Sequence, residues 1–178
     1  LWKRFFAQMT DIHPGDTVLD VASGTGDVAR LLKKRVGDSG HVVMTDINEA
    51  MLRHGQNRLM DECGMINMAC VVADAEDLPF PDQTFDCLTV AFGLRNMTDK
   101  SKALHSFYRV LKPMGKLLVL EFSKAHPGFS SLYDAFSSHI IPKLGQLVAN
   151  DEASYHYLVE SIRRHPDQKT LCALFEQA

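Results

Sequence analysis

Three aspartates and a glycine turn are the residues of this chain best placed to do chemistry. The run Val18-Leu19-Asp20-Val21-Ala22-Ser23-Gly24-Thr25-Gly26-Asp27 sets a glycine turn at the end of an apolar, strand-like stretch, where open α/β sheets bind ligands. Glycine there lets a ligand approach the backbone. Asp46, followed by Ile47-Asn48, falls where a second strand should end, and its carboxylate can accept hydrogen bonds from both hydroxyls of a ribose. Asn48 is the better cap for a helix starting at Glu49, which leaves Asp46 free for a ligand. In Ala73-Asp74-Ala75-Glu76-Asp77-Leu78-Pro79-Phe80, Asp74 closes a third strand, near an adenine amino group in such an architecture. Pro79 and Phe80 then close the loop, and Glu76 and Asp77 read as solvated acids.

Gly24-x-Gly26-x-x-Ala29 with Asp46 downstream also satisfies a loose dinucleotide fingerprint, so a nucleotide-linked dehydrogenase must be weighed. Charge is the discriminating feature. Asp20 and Asp27 flank the loop, and a pyrophosphate about 4 Å away would be repelled by roughly 1 kcal/mol in water and about 4 kcal/mol at an effective dielectric near 20. A cationic ligand reverses the sign. S-adenosylmethionine carries an ammonium and a sulfonium, so the loop Gly24-Thr25-Gly26, with Asp20, Asp46 and Asp74, predicts that cofactor. For Asp27, capping of the following helix is the competing role.

Holding these groups takes strands, expected at Thr17–Ala22, His41–Ile47, Met68–Ala73, Phe85–Ala91 and Lys116–Glu121, alternating with helices at Asp27–Val36, Glu49–Cys63 and Lys100–Leu111. Gly37, Gly64 and Lys112-Pro113 mark the helix ends. The alternation predicts an α/β fold, a doubly wound, mostly parallel sheet with helices on both faces, the Rossmann-like fold of class I S-adenosylmethionine-dependent methyltransferases. After Glu121 the alternation stops, and Ser130 to Ala178 reads as helix only. Two further strands would complete such a sheet, so the chain reads as a fragment with the outer edge of Lys116–Glu121 unpaired. The expected organisation is one domain, 1–178, with a cofactor-binding sheet core at 17–123 and a helical, substrate-covering segment at 124–178.

Composition fits one globular domain: 178 residues, 46% hydrophobic and 23% charged. With 19 Lys plus Arg against 22 Asp plus Glu, and no basic run longer than Lys33-Lys34-Arg35, nothing resembles a nucleic-acid surface. Cys63, Cys70, Cys87 and Cys172 show no C-x-x-C spacing, so reduced, buried thiols in a cytosolic-type compartment are expected and no metal site. No apolar run reaches the roughly 18 residues of a membrane span. No signal peptide is evident, although the chain opens at Leu1-Trp2-Lys3 without an initiator Met.

Three longer stretches carry a resemblance. Ala73–Phe85 leading into Ala91-Phe92-Gly93-Leu94-Arg95-Asn96, then Arg109-Val110-Leu111-Lys112-Pro113-Met114-Gly115 with Leu120-Glu121-Phe122-Ser123, and finally Tyr155–Asp167 with Glu160-Ser161-Ile162-Arg163-Arg164-His165-Pro166 resemble the ubiquinone/menaquinone biosynthesis C-methyltransferase family. The resemblance implies methyl transfer from S-adenosylmethionine to a ring carbon of a polyprenylated benzoquinol or of demethylmenaquinol. It implies cofactor contacts at Thr25, Asp46, Asp74 with Ala75, and Ala91. Relatives often carry Ser at that last place, so a contact at Ala91 must come from backbone. Ser23 stands where Gly is usual, and Met114 where Gly often follows Lys-Pro; a type I turn over Lys112–Gly115 would tolerate the latter.

Carbon methylation of a quinol needs a ring hydroxyl to lose its proton as the methyl moves, hence a positioned base or cation. Arg95, after a strand-end glycine, is the leading candidate to stabilise the phenolate, with Asn96 orienting it. Tyr133 and His139 head the candidates in the helical segment, which also holds Asp134, Tyr155, His156, Arg163 and Arg164. An apolar stripe from Phe129 through Val148 could cover an isoprenoid tail, touch a membrane surface, or simply pack. The expected partners are the quinol substrate, a membrane surface and a quinone-synthesis complex. The expected location is cytoplasmic, peripheral on the inner membrane, or the mitochondrial matrix in a eukaryote. Three other functions stay open: a small-molecule methyltransferase of the same fold acting on a sterol or phenolic oxygen, an inactive cofactor-binding member of a quinone-synthesis complex, and, third, the nucleotide-linked dehydrogenase.

Overall fold

The computed structural model of the protein describes residues 2–122 and 152–178. Residues up to Glu121 form one compact unit and those from Phe122 to Gln177 a second. The first unit runs α1 (Trp2–Gln8), β1 (Thr17–Val21), α2 (Asp27–Val36), β2 (His41–Asp46), α3 (Glu49–Cys63), β3 (Met68–Val72), β4 (Phe85–Ala91), a 3-10 turn (Leu94–Asn96), α4 (Lys100–Val110) and β5 (Leu111–Leu120). The described part of the second holds α5 (Glu152–Arg164) and α6 (Gln168–Gln177). Tyr133 and His139 lie outside the described residues, as does the stripe from Phe129 to Val148.

The strands form one parallel sheet in the order β3-β2-β1-β4-β5. Side chains alternate across a strand, and the two faces of β1 bury different partners. Val18 packs in a cluster with Phe6 of α1, Val28 and Leu32 of α2, Val42 and Met44 of β2, and Leu52 and Leu59 of α3. Leu19 and Val21, fully buried like Leu88 and Val90 of β4, point to the other side, and α4 buries Ala103, Leu104, Phe107 and Val110. Among the described residues, the helices of the first cluster are α1, α2 and α3. Both faces of the sheet are therefore covered, which is what makes its central strands continuous apolar runs.

Helix ends follow their sequence signals. Asn48 Oδ1 accepts from the Met51 N–H at 3.1 Å, Asp99 caps α4 at Lys102 N, and Gly37 and Gly64 close α2 and α3 with positive φ. Strands β1, β2 and β3 each end one residue before their predicted limit.

The larger departure is β5, expected to start at Lys116. The Arg109 and Val110 carbonyls accept from the Gln83 and Thr84 N–H groups, so the chain passes straight from α4 into pairing with β4, Leu111 against Phe85. Pairing resumes at Lys116 against Cys87, and Lys112–Gly115 bulges between the two. Within the bulge Met114 sits at φ 67°. The third position of a type I turn has negative φ, so that expectation fails; positive φ there is the type II geometry that favours glycine.

Candidate cofactor site

Strand order reverses around β1, whose neighbours β2 and β4 open a crevice at their carboxyl ends. Five of the predicted residues converge there. The Ser23 N–H donates to the Thr45 carbonyl of β2 at 2.9 Å and the Gly26 N–H to the Ser23 carbonyl at 2.9 Å, curling the loop back on itself. Gly24 and Gly26 take φ 54° and 77° within it. Asp46 clasps this loop: Oδ2 accepts from the Gly24 N–H at 2.8 Å and Oδ1 from the Asn48 N–H at 2.9 Å. Each oxygen keeps a further lone pair, and Asp46 is only half buried.

Helix α3 closes on the loop from behind through Gly55. A Cβ at that position would lie 2.8 Å from the Thr25 carbonyl carbon and 3.0 Å from the Gly24 oxygen. Three residues on, Arg58 donates to the Thr25 carbonyl and to Asp27 Oδ1, both at 2.7 Å, while Lys3 of α1 reaches Asp27 Oδ2 at 2.8 Å. Lys3 first and Arg58 with it hold the Asp27 carboxyl below its ordinary range. The helix caps with Gly26 and no side chain. Asp27 is thus already matched by two protein cations, and its half of the electrostatic case for a cationic ligand lapses.

Asp20 carries the other half. It is 1% exposed, Oδ1 accepts from Thr89 Oγ1 of β4 at 2.7 Å, and Oδ2 is buried without a partner. Burial pushes its carboxyl up to about 7, against the pull of the Thr89 hydroxyl, the Lys3 ammonium and the Ala29 N–H. Ser23 Oγ is likewise buried and unpartnered. Orphaned acceptors beside a glycine loop fit a ligand that brings its own donors, such as an ammonium.

Asp74 is exposed beyond β3. Its Oδ1 accepts from the Glu76 N–H at 2.9 Å, and half-buried Ala75 lies in that turn. Glu76 is not merely solvated: its carboxylate accepts from the Asp99 N–H at 2.8 Å, fastening the turn to the start of α4. Arg109 holds the following loop by the Leu78 and Phe80 carbonyls at 2.6 and 2.7 Å. Ala91, half buried, ends β4 beside the loop that carries Arg95 and Asn96. Asn96 is exposed, and its N–H donates to the Gly93 carbonyl at 3.0 Å. A cavity of about 460 Å³ between α3 and β3, lined by Leu52, Met60, Cys70 and Val72 among others, contains none of the predicted site residues.

Residues 1–178 match the ubiE/COQ5 methyltransferase family along their whole length. The chain belongs to that family. It is 56% identical over 178 residues to the ubiquinone/menaquinone biosynthesis C-methyltransferase UbiE of Legionella pneumophila (strain Paris), covering 99% of this chain and 71% of the relative. Against the protein of the same name from Enterobacter sp. (strain 638), identity is 55% over 180 residues, covering all of this chain and 71% of the relative. Among solved structures, a putative methyltransferase from Bacillus halodurans C-125 superposes with a TM-score of 0.74 at 22% identity, over 99% of this chain and 67% of that one. A SAM dependent methyltransferase from Aquifex aeolicus gives 0.65 at 23% identity, over 85% and 78%. These likenesses share the fold predicted from the strand and helix alternation.

Membership makes the chain an S-adenosylmethionine-dependent methyltransferase, and the residues fit that cofactor. Asp46 offers two acceptors for vicinal hydroxyls, and Asp20 a buried acceptor for a cationic group. Sequence reasoning missed Gly55, Arg58, Lys3 and Thr89 in this methyltransferase. Gly55 left a signal, a lone glycine inside a helical pattern, which usually has a packing reason. Thr89 left a weaker one, a hydroxyl inside an apolar strand. Lys3 and Arg58 left none, because ion pairs across 24 and 31 residues have no local signature.

Proposed function

We propose that this methyltransferase adds a methyl group to a ring carbon of a polyprenylated benzoquinol, of demethylmenaquinol, or of both. The observation that carries the reading is the family match across all 178 residues, joined to relatives named as ubiquinone/menaquinone biosynthesis C-methyltransferases. S-adenosylmethionine supplies the methyl group, on a sulfonium that makes it electrophilic. Asp46 takes the ribose hydroxyls, Asp20 the ammonium, Asp74 and Ala75 the adenine edge, and the Ala91 backbone flanks the pocket beside Gly24, Thr25 and Gly26.

On the substrate side, Arg95 places a guanidinium at the carboxyl end of β4, where it stabilises the phenolate as the ring hydroxyl gives up its proton; once the ring carbon has taken the methyl group, that carbon's own hydrogen leaves as a proton and the aromatic phenol is restored. Glu121 and the Phe92 carbonyl are the partners that fix it there. Asn96, Tyr133 and His139 complete the candidate set, the last two to orient the ring or accept the proton. A polyprenyl tail implies contact with a membrane surface and access to a quinone-synthesis complex. Trp2, Phe5 and Met9, 67%, 55% and 61% exposed at the N-terminal helix, support a peripheral contact. Among the described residues no helix is long and apolar enough to cross a membrane.

Mass spectrometry of quinone intermediates in cells lacking the protein tests the reading. A precursor one ring methyl short should accumulate, and the wild-type gene but not Asp46→Ala should clear it. An unchanged quinone profile refutes the assignment; a missing O-methyl group moves it to a phenolic oxygen; rescue by a variant unable to bind cofactor points to the non-enzymatic role in a complex.

A further inference from the structure

Arg95 is held by a residue far from it in sequence. β4 ends at Ala91, paired with Leu120 of β5, and the Phe92 N–H still donates to the Leu120 carbonyl at 2.7 Å. Phe92 then turns the chain at φ 60°. Gly93 passes so close to the cofactor loop that a Cβ on it would stand 2.4 Å from the Ala22 Cβ. Leu94–Asn96 follows as a 3-10 turn, whose first N–H groups find no partner inside it.

Glu121, the residue after β5, supplies one. Its Oε2 accepts from the Arg95 N–H at 3.0 Å, and its Oε1 meets Arg95 Nη1 at 2.8 Å. The same Nη1 donates to the Phe92 carbonyl. The two side chains are 10% and 4% exposed. One carboxylate therefore fixes both the backbone and the charge of a single residue, and does so in surroundings where charge-assisted bonds are strong.

We propose that Glu121 is a positioning residue for methyl transfer, which caps the Leu94–Asn96 turn and aims the Arg95 guanidinium while Gly93 presses the same loop against Ala22. The proposal rests on the reading of Arg95 as the cation of the chemical step. Cofactor contacts at Asp46, Asp74 and Gly24 do not pass through Glu121, and Ala91 is held by its own pairing with Leu120, so the loss of Glu121 should separate turnover from cofactor binding.

Glu121→Asp keeps the charge and withdraws it by one methylene, too far to serve the amide and the guanidinium together. In the full chain we expect kcat to fall about 10- to 100-fold, in line with misplacement of a reacting group by about 1 Å, while the cofactor Kd stays within about threefold. Amide exchange at Arg95 should quicken at least tenfold, because its acceptor is withdrawn. Adding Arg95→Lys to Glu121→Asp should cost little beyond either change alone. Strictly multiplicative losses, or a cofactor Kd that rises in step with the fall in kcat, overturn the proposal. Wild-type protein that methylates no prenylated quinol refutes the functional reading instead. The exchange measurement then decides the clamp by itself: unchanged protection at Arg95 in Glu121→Asp overturns it, and faster exchange upholds it.

Discussion

Asp20→Asn should stabilise the cofactor-free protein at pH 8 and flatten its pH dependence. The Asp20 carboxyl is pushed from an ordinary 3.8 up to about 7 by burial. Below about pH 4 both folded and unfolded chains carry it protonated. Between pH 4 and 7 the unfolded chain ionises while the folded one keeps the proton, so stability falls as pH rises. Above pH 7 the full cost is in place, about 4 kcal/mol for a carboxyl raised from 3.8 to about 7.

Asparagine removes that cost. It retains the bond from Thr89 Oγ1 to Oδ1 but sets an unpartnered amide N–H where the orphaned oxygen lay, at about 1–3 kcal/mol. The net gain at pH 8 is about 2 kcal/mol, worth roughly 5 °C in a domain of this size. At pH 5 the two variants should be nearly equal. Asp11, Asp27 and Asp86, all held below the ordinary carboxylate range, titrate outside this window. Urea unfolding of both variants at half-unit steps from pH 5 to 8 checks the slope, and calorimetry should show the cofactor binding at least tenfold more weakly to Asp20→Asn. A difference constant with pH, or an asparagine variant less stable at pH 8, would refute the account of Asp20 as a buried charge awaiting a cation.

Asp46→Ala should weaken cofactor binding by about 2–4 kcal/mol, since two charge-assisted bonds to hydroxyls go and the Gly24 N–H loses its acceptor; an unchanged calorimetric affinity removes Asp46 from the site. Gly55→Ala improves helix propensity by about 1 kcal/mol yet drives a methyl into the Thr25 backbone at 2.8 Å. The cofactor Kd should rise about tenfold with helicity unchanged, and unaltered affinity would show that the loop yields freely. Met114→Gly, at an exposed position with φ 67°, relieves about 1–2 kcal/mol of left-handed strain against about 0.5–1 kcal/mol of lost chain entropy. A urea midpoint below that of the parent would contradict the type II geometry.

The sheet and its crevice were legible because hydrophobic period and glycine punctuation are local signals. β4 and the helices Asp27–Val36 and Glu49–Cys63 match their predicted limits. Asp46 could be singled out because Asn48 already explained the helix cap, and its carboxylate does sit against the glycine loop. What stayed hidden is what the chain assembles from afar. Asp27 reads as a ligand carboxylate until Lys3 and Arg58 arrive at 2.8 and 2.7 Å. Arg95 reads as a lone cation until Glu121, 26 residues on, is placed beside it. The onset of β5 was misjudged because Lys-Pro-Met-Gly has the composition of a turn, whereas the sheet absorbs it as a bulge.

That bulge bears on how β5 knows which way up it lies. Between its two paired stretches, β4 advances from Phe85 to Cys87 while β5 advances from Leu111 to Lys116. The surplus is odd, and an odd surplus reverses which face each later side chain meets. The four residues Leu117-Leu118-Val119-Leu120 are apolar on both faces and would be content in either orientation. The polar residues that bracket them would not. Lys116 pairs with Asp11 and Glu121 with Arg95, and turning the strand over would carry both away from their partners. The choice of register is thus written at the two charged ends of the strand and nowhere along its greasy middle. A one-residue insertion or deletion in Lys112–Gly115 must either be swallowed by the bulge or break both pairs, whereas a change of two can pass through with every side chain on its own face.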